Sequence, residues 1–137
     1  MRTRFLICGL SGAVAVALGA WGAHGLKQFV LSGQLTTDQL NAFDTGVRYQ
    51  MYHTLAMLLT LVFSNAVISR GMNRAFIFFG IGIVLFSGSL YLLSIRNILH
   101  ADWLRFLGPV TPFGGLCFVV GWIFLAFSMK KNNESKF

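Results

Sequence analysis

Four long apolar stretches dominate the pattern of hydrophobic and polar positions along the chain. Each contains about 18 to 21 residues, close to the roughly 20 that an α-helix needs to cross the hydrocarbon core of a bilayer. None of them alternates apolar and polar residues as a membrane β-strand would, so the stretches predict helices. The predicted spans are residues 5–23, 52–69, 75–95 and 112–129.

The segment between the first two spans carries its own helical pattern. An apolar stripe recurs at helical spacing on an otherwise polar segment, which predicts an amphipathic helix over about 37–51. Thr36 and Gln39 have the spacing of a capping box at its start. The stripe consists of Leu40, Phe43, Val47 and Met51. We expect this helix to lie at the membrane interface and run into the second span, or to fold over the bundle as a lid.

Local signals also predict where two spans begin or end. Gly25 follows the first apolar run and is typical of a helix terminus. Before the last span, Thr111 is a suitable N-cap and Pro112 suits the first helical turn. We therefore expect the first helix to stop near Gly25 and the fourth to start at Pro112.

Small residues form a row at i, i+4 spacing along the first span. Such rows let membrane helices approach closely, which is needed because lipid supplies no hydrophobic force between helices. The row consists of Ser11, Ala15, Gly19 and Ala23. It predicts a packing face that either holds the bundle together or forms a homo-oligomer.

Composition supports a membrane protein. Hydrophobic residues make up 55% of the 137 and charged residues only 11%, whereas a soluble domain carries about 25% charged residues. The chain therefore predicts one integral membrane domain, residues 1–137, surrounded by membrane lipids. Its bases are scattered at the ends of apolar segments instead of clustered, which argues against nucleic-acid binding.

The distribution of basic residues predicts the orientation. With four spans, both termini and the 70–74 loop share a side, which holds seven of the 11 lysines and arginines. Basic residues favour the cytoplasmic side. We expect a multi-pass plasma (inner) membrane protein with both termini in the cytoplasm, and we call the opposite face outer.

Polar side chains that are unusual in membrane spans concentrate at one depth. Because successive spans cross in opposite directions, sequence position converts to depth, and these residues fall in the outer third of the predicted bundle. We define them as the outer polar cluster: His24, Asp44, Arg48, Tyr49, His53, Ser89, Tyr91 and Thr111. Polar groups at this depth are costly unless they have partners. The cluster is interpreted either as a binding pocket or as a set of interfacial anchors.

Signs of catalysis, metal or cofactor binding are weak. The three histidines lack the close helical spacing of a metal pair, and nothing positions a haem. The sequence has no serine elbow and no phosphate-binding glycine loop, and its four acids lie outside the predicted spans. We therefore expect no catalytic residue, no metal, no cofactor and no enzymatic activity.

Four segments are similar to one known family and cover all four spans in order. They read GAWGAHGLK, TGVRYQMYHTLA, LFSGSLYLLS and GPVTPFGGLCFVVGW. They resemble the YgdD/YwdK-like family, small four-helix membrane proteins classed as a domain of unknown function, with a small transmembrane relative in animals. The resemblance implies a multi-pass inner-membrane protein of an uncharacterised family and supplies no activity.

The sequence thus predicts an all-α membrane protein, a four-transmembrane-helix bundle with an extra amphipathic helix in the first outer loop. Two functional hypotheses follow. In the first, the bundle is non-enzymatic and holds a lipid, a quinone or a small solute in a polar pocket near its outer face. In the second, it is an accessory or structural subunit of a membrane complex, and the outer polar cluster is purely structural.

Overall fold

Helices account for nearly all of the structure. The computed structural model describes residues 1–64 and 70–128, and within these ranges the chain has no β-strand. We name the long helices α1 (Arg2–Leu31), α2 (Thr37–Ser64), α3 (Arg70–Ile95) and α4 (Val110–Ser128). A short 3₁₀ helix, Asp102–Leu107, leads into α4. Residues 65–69 of the second predicted span and residue 129 of the fourth lie outside the described residues.

Length and hydropathy qualify three helical stretches of the described chain to cross a membrane. They are Arg2–Leu31, Arg70–Ile95 and Asp102–Ser128. The described part of α2 is less apolar, because its first half carries the polar residues of the predicted loop helix. An all-helical membrane architecture is therefore supported.

The prediction that Gly25 ends the first helix is wrong. The chain widens into a π-helical turn at Gly22–Leu26 and continues helically to Leu31. A β-carbon at Gly25 would lie 2.7 Å from Nε1 of Trp21, so glycine serves a close side-chain approach here. Leu26 is fully buried against the chain's own apolar residues, and this packing overrides the local stop signal.

The predicted loop helix and second span form one continuous helix, α2. The capping box at its start is confirmed: the Gln39 N–H donates to Oγ1 of Thr36 at 3.1 Å, and the Thr36 N–H donates to Oε1 of Gln39 at 3.0 Å. Phe43 of the apolar stripe is buried beside Leu26 and Leu35. The stripe thus packs against the protein itself, and the helix runs directly into the second predicted span, as one of the two expectations from the sequence has it.

Each helix packs against the next one along the chain. α1 lies against α2, α2 against α3, and α3 against α4. The row of small residues on α1 faces α2: Ala15 is buried, and a β-carbon at Gly19 would lie 3.3 Å from Cγ1 of Val47. The row therefore closes the α1–α2 contact within one chain, as the packing-face interpretation predicts.

Glycines set the spacing between α3 and α4. A β-carbon at Gly114 would lie 2.8 Å from Cα of Phe86, and one at Gly121 would lie 2.7 Å from the ring of Phe79. Phe86 belongs to a second π-helical turn, Ile83–Ser87, in the middle of α3. The backbones of α3 and α4 therefore meet most closely at this turn.

The predicted start of the last helix is wrong by two residues. α4 begins at Val110, directly after Pro109, so that Pro112 is its third residue. Thr111 therefore lies inside the first turn instead of at the N-cap, and its hydroxyl forms a hydrogen bond of 2.7 Å with the Ser89 hydroxyl of α3. Pro109 has no backbone N–H to leave without a partner, so the helix can begin directly after it.

Adjacent glycines in α4 provide a test of this packing. Gly114→Ala should destabilise the protein by about 1–3 kcal/mol, because the new methyl group meets the backbone of Phe86. Gly115→Ala is the matched control, since its β-carbon would lie 3.8 Å from the nearest atom, and it should be neutral or stabilising. Unfolding of both variants in mild detergent measures the difference, and equal stabilities would contradict the proposed contact.

Candidate functional site

The outer polar cluster does not form one pocket. His24 is exposed on the π-helical turn of α1. Asp44 and Arg48 form an ion pair on the exposed surface of α2, where such pairs stabilise little. Asp44 also lines a groove of about 370 Å³ between α1 and α2, with Lys27 on its opposite wall. His24, Asp44 and Arg48 thus lie apart from the buried members of the cluster.

Tyr91 belongs to a hydrogen-bond network that joins three helices. Its hydroxyl donates to Oε1 of Gln50 at 2.7 Å, and Nε2 of Gln50 donates to the backbone carbonyl of Ser11 at 2.9 Å. The hydroxyls of Ser11 and Thr54 share a further hydrogen bond of 2.7 Å. Gln50, Ser11 and Thr54 were not among the predicted site residues. The i, i+4 spacing of Gln50 and Thr54 is the signal that would have placed them on one face of α2.

Ser89 and Thr111 connect α3 to α4. The Ser89 hydroxyl donates to the backbone carbonyl of Phe86 at 2.9 Å. Its proton is therefore used, so it accepts the proton of the Thr111 hydroxyl. This short chain fixes the two helices beside the close contact at Gly114.

His53 is buried between α2 and α4 with both ring nitrogens bonded. Nε1–H of Trp122 donates to Nε2 of His53 at 3.2 Å, and Nδ1 of His53 lies 2.8 Å from the backbone carbonyl of Tyr49. Indole nitrogen only donates, so Nε2 must be unprotonated and Nδ1 must carry the proton. The imidazole also stacks on Phe118, with ring centroids 3.5 Å apart and planes 9° apart.

An aromatic groove opens beside this histidine. It encloses about 820 Å³ and is lined by side chains of α2, α3 and α4. Tyr49 and Tyr52 lie at the end of the groove nearer the start of α2, and both are exposed. We name it the aromatic groove and define it by six of its lining residues: Tyr49, Tyr52, His53, Phe86, Phe118 and Trp122. Phe118 and Trp122 were missed at the sequence level, because aromatic residues are equally typical of surfaces that face lipid.

Metal-binding residues are sparse in the parts of the chain that the structure describes. Within residues 1–64 and 70–128, no three His, Cys, Asp or Glu side chains lie close enough together to hold a metal ion. Cys8 and Cys117 are free thiols. The chemistry available at the aromatic groove is therefore apolar contact, ring stacking and hydrogen bonding by tyrosine hydroxyls.

The outward faces of the helices define the class of protein. Large apolar side chains such as Leu10, Val84 and Phe127 are exposed there. Soluble proteins rarely expose so large an apolar area to water. Together with three helices long and apolar enough to span a bilayer, this identifies a helical membrane protein.

Comparison with known proteins gives the family. The chain belongs to the family described as "Protein of unknown function (DUF423)", whose model matches residues 18–115. This confirms the resemblance found in the sequence. No solved structure matches the chain.

Named relatives cover nearly the whole chain. The UPF0382 membrane protein YwdK of Bacillus subtilis is 37% identical over 133 residues, which cover 96% of this chain and 98% of the relative. The UPF0382 inner membrane protein YgdD of Escherichia coli is 40% identical over 124 residues, covering 89% and 86%. A UPF0382 membrane protein of Haemophilus influenzae is 38% identical over 138 residues, covering 98% and 99%.

Removing one hydroxyl tests the three-helix network. Tyr91→Phe leaves Oε1 of Gln50 without its donor and should lower the free energy of unfolding by about 1 kcal/mol, the usual size of an interhelical hydrogen bond in a membrane. Tyr52→Phe is the matched control, because Tyr52 is exposed and its change should cost close to nothing. The measurement is unfolding in mixed micelles; a Tyr91→Phe protein as stable as Tyr52→Phe would refute the network's contribution.

The proton position on His53 can be observed directly. Nitrogen NMR of histidine-labelled protein should show His53 as the neutral ring with the proton on Nδ1. Trp122→Phe removes the donor to Nε2 and should shift the Nε2 resonance, whereas Trp103→Phe changes an exposed indole that does not line the aromatic groove and should not. A spectrum with the proton on Nε2 would exclude the Trp122 hydrogen bond.

Proposed function

We propose that the protein is a multi-pass plasma-membrane protein in which α2 supplies the second of four spans. The 28 residues of α2 rise about 42 Å at 1.5 Å per residue, enough to cross the hydrocarbon with a polar turn to spare. The excess of basic residues on the side of the termini supports a cytoplasmic location for both. In this topology Tyr49 and Tyr52 lie toward the outer face.

Its proposed function is to bind one amphiphilic lipid or quinone in the aromatic groove without chemical conversion. The observation that supports this is the groove itself, about 820 Å³ with an apolar, aromatic lining. Its polar groups available to a ligand are the tyrosine hydroxyls at one end. An apolar chain would lie along Phe86 and Phe118, and its oxygen-bearing head would accept hydrogen bonds from Tyr49 and Tyr52.

The state of His53 supports a binding role over catalysis. Both of its ring nitrogens are occupied, by Trp122 and by the backbone of Tyr49, so the histidine that lines the groove has no free nitrogen to act as a base. Because both nitrogens are occupied, a small polar solute would also find few hydrogen-bond partners at the floor of the groove. We therefore favour an amphiphile over the small solute that the sequence also allowed.

A second candidate function is that of a structural subunit in a larger membrane complex. The Tyr91–Gln50–Ser11 network and the Ser89–Thr111 bond favour it, because they use polar members of the outer cluster to join helices. In that case the exposed aromatic groove would receive a helix of another protein.

Filling the groove tests the ligand proposal. Gly115 lines the groove, so Gly115→Leu should block an acyl or isoprenoid chain and reduce labelling by a photoactivatable phospholipid or ubiquinone analogue about tenfold. Gly88→Leu is the matched control, because a β-carbon at Gly88 would meet nothing within 4 Å and Gly88 does not line the groove. Labelling is measured by mass spectrometry of the cross-linked peptides.

Two outcomes would reject the proposal. One is labelling that falls equally in the two leucine variants, and the other is cross-links spread over all lipid-facing helices without preference for the groove. Recovery of a stoichiometric membrane partner, lost in Gly115→Leu and retained in Gly88→Leu, would instead support the structural subunit.

A further inference from the structure

Buried polar atoms without a partner collect at one place in the fold. In the described parts of the chain, four buried side-chain nitrogen or oxygen atoms have no hydrogen bond, and three of them belong to residues that line the same groove. The three atoms are Nε2 of Gln39, Oγ of Ser94 and Nε of Arg96. Gln39 is 8% exposed and Ser94 is 1% exposed. Buried polar groups are normally satisfied, so this concentration needs an explanation.

The orientation of the Gln39 amide is fixed by its neighbours. Oε1 accepts hydrogen bonds from the Thr36 N–H at 3.0 Å and from Nδ2 of Asn97 at 3.2 Å. Two donors on one atom identify it as the oxygen, so the NH₂ group is the free end. Gln39, which lines the groove, therefore holds an unused donor.

Arg96 is held in a similar way. Its Nη1 donates to the backbone carbonyl of Leu93 at 3.0 Å, which fixes the side chain and leaves Nε–H as a charged donor. The Thr36 hydroxyl accepts from the Gln39 N–H, so its own proton is available as well. The residues around the groove therefore hold several donors that the described protein leaves unused, and one of these donors carries a full positive charge.

The groove has the size and position for a small oxyanion. It encloses about 340 Å³ between the first turn of α2 and the end of α3. The N-terminus of α2 adds the positive end of a helix dipole and free backbone N–H groups. Asp38 is the one acid among the lining residues; it is exposed, where solvent and salt screen its repulsion.

We propose that this groove binds a phosphoryl group, supplied by a phospholipid head group or by free phosphate. Gln39 Nε2, Arg96 Nε and the hydroxyls of Ser94 and Thr36 would donate to its oxygens. Several donors from different directions suit a tetrahedral group better than the two oxygens of a carboxylate. The site is separate from the aromatic groove, and its argument does not rest on the function proposed there.

Binding is tested on the full chain in uncharged detergent. In the first arm, the unfolding temperature is followed while sodium phosphate is raised at constant ionic strength against sodium chloride. In the second arm, native mass spectrometry compares retention of dioleoyl phosphatidic acid with that of dioleoylglycerol, which has the same chains and no phosphoryl group. We expect stabilisation by phosphate, or preferential retention of phosphatidic acid, or both.

Gln39→Glu is the most informative variant. It keeps an oxygen to accept from Thr36 and Asn97, and glutamate suits a capping box equally well, but it replaces the free donor with a charged acceptor. Affinity for the phosphoryl probe should fall about tenfold or more, as expected for the loss of a hydrogen bond to a charged group. Arg96→Gln should act in the same direction.

The control is another arginine near the same end of the bundle. Arg105 is exposed, and its Nη2 lies 3.6 Å from Oδ1 of Asp102. Arg105→Gln therefore removes an equal charge outside the groove and should leave the affinity for the phosphoryl probe unchanged. Should Gln39→Glu fail to fold, Ser94→Ala removes one donor with little change in volume and should weaken binding severalfold.

The two arms separate the sources and can overturn the proposal. Retention of phosphatidic acid that free phosphate does not reproduce identifies a lipid head group, whereas stabilisation by phosphate that also displaces the lipid identifies a site open to both. The proposal is wrong if neither probe binds the unmodified chain. It is equally wrong if Arg105→Gln weakens binding as much as Arg96→Gln does.

Discussion

The amide of Gln50 is the interaction on which the arrangement of the first three helices depends. Lipid is as apolar as the helix surfaces, so no hydrophobic force drives these helices together once they are in the bilayer. A polar side chain between helices must find partners there, and Gln50 finds Tyr91 on α3 and Ser11 on α1. Small residues on α1 permit the approach that these bonds require. The α3–α4 contact likewise combines a small residue with a hydrogen bond. Gly114 allows the backbone of α3 to approach closely, and the hydroxyls of Ser89 and Thr111 form a hydrogen bond.

The elements that depended on local pattern were predicted well. The all-helical character follows from the length and apolar content of the stretches, and the capping box of α2 from two residues at fixed spacing. The boundaries near Gly25 and Thr111 were predicted poorly. Tertiary packing decided the first, because Leu26 is buried by residues far along the chain. The second was decided locally, because α4 begins directly after Pro109 and Thr111 lies inside its first turn. π-helical turns have no distinctive composition, so neither of the two could be read from the sequence.

The candidate site was predicted in part. The depth inferred from sequence position placed His53, Tyr49 and Ser89 at one level of the predicted bundle. Depth does not specify the direction in which a side chain points around its helix. His24 and Arg48 share that level and face outward. Trp122, which holds the His53 ring, lies among many aromatic residues of similar hydropathy. Only the relative rotation of α2 and α4 distinguishes it from its neighbours, and that rotation is set by packing.

The hydrogen bond from Asn97 to Gln39 connects residues 58 positions apart and bears on how the protein assembles during synthesis. The cap of α2 uses Gln39 as soon as the second helix exists, but its amide gains Asn97 only after the third helix has been made. The start of α2 can thus form first, and its connection to the end of α3 follows. A chain interrupted before residue 97 would keep the capping box of α2 but lack the hydrogen bond that connects it to the end of α3. That hydrogen bond therefore forms only when α2 and α3 have reached their final arrangement.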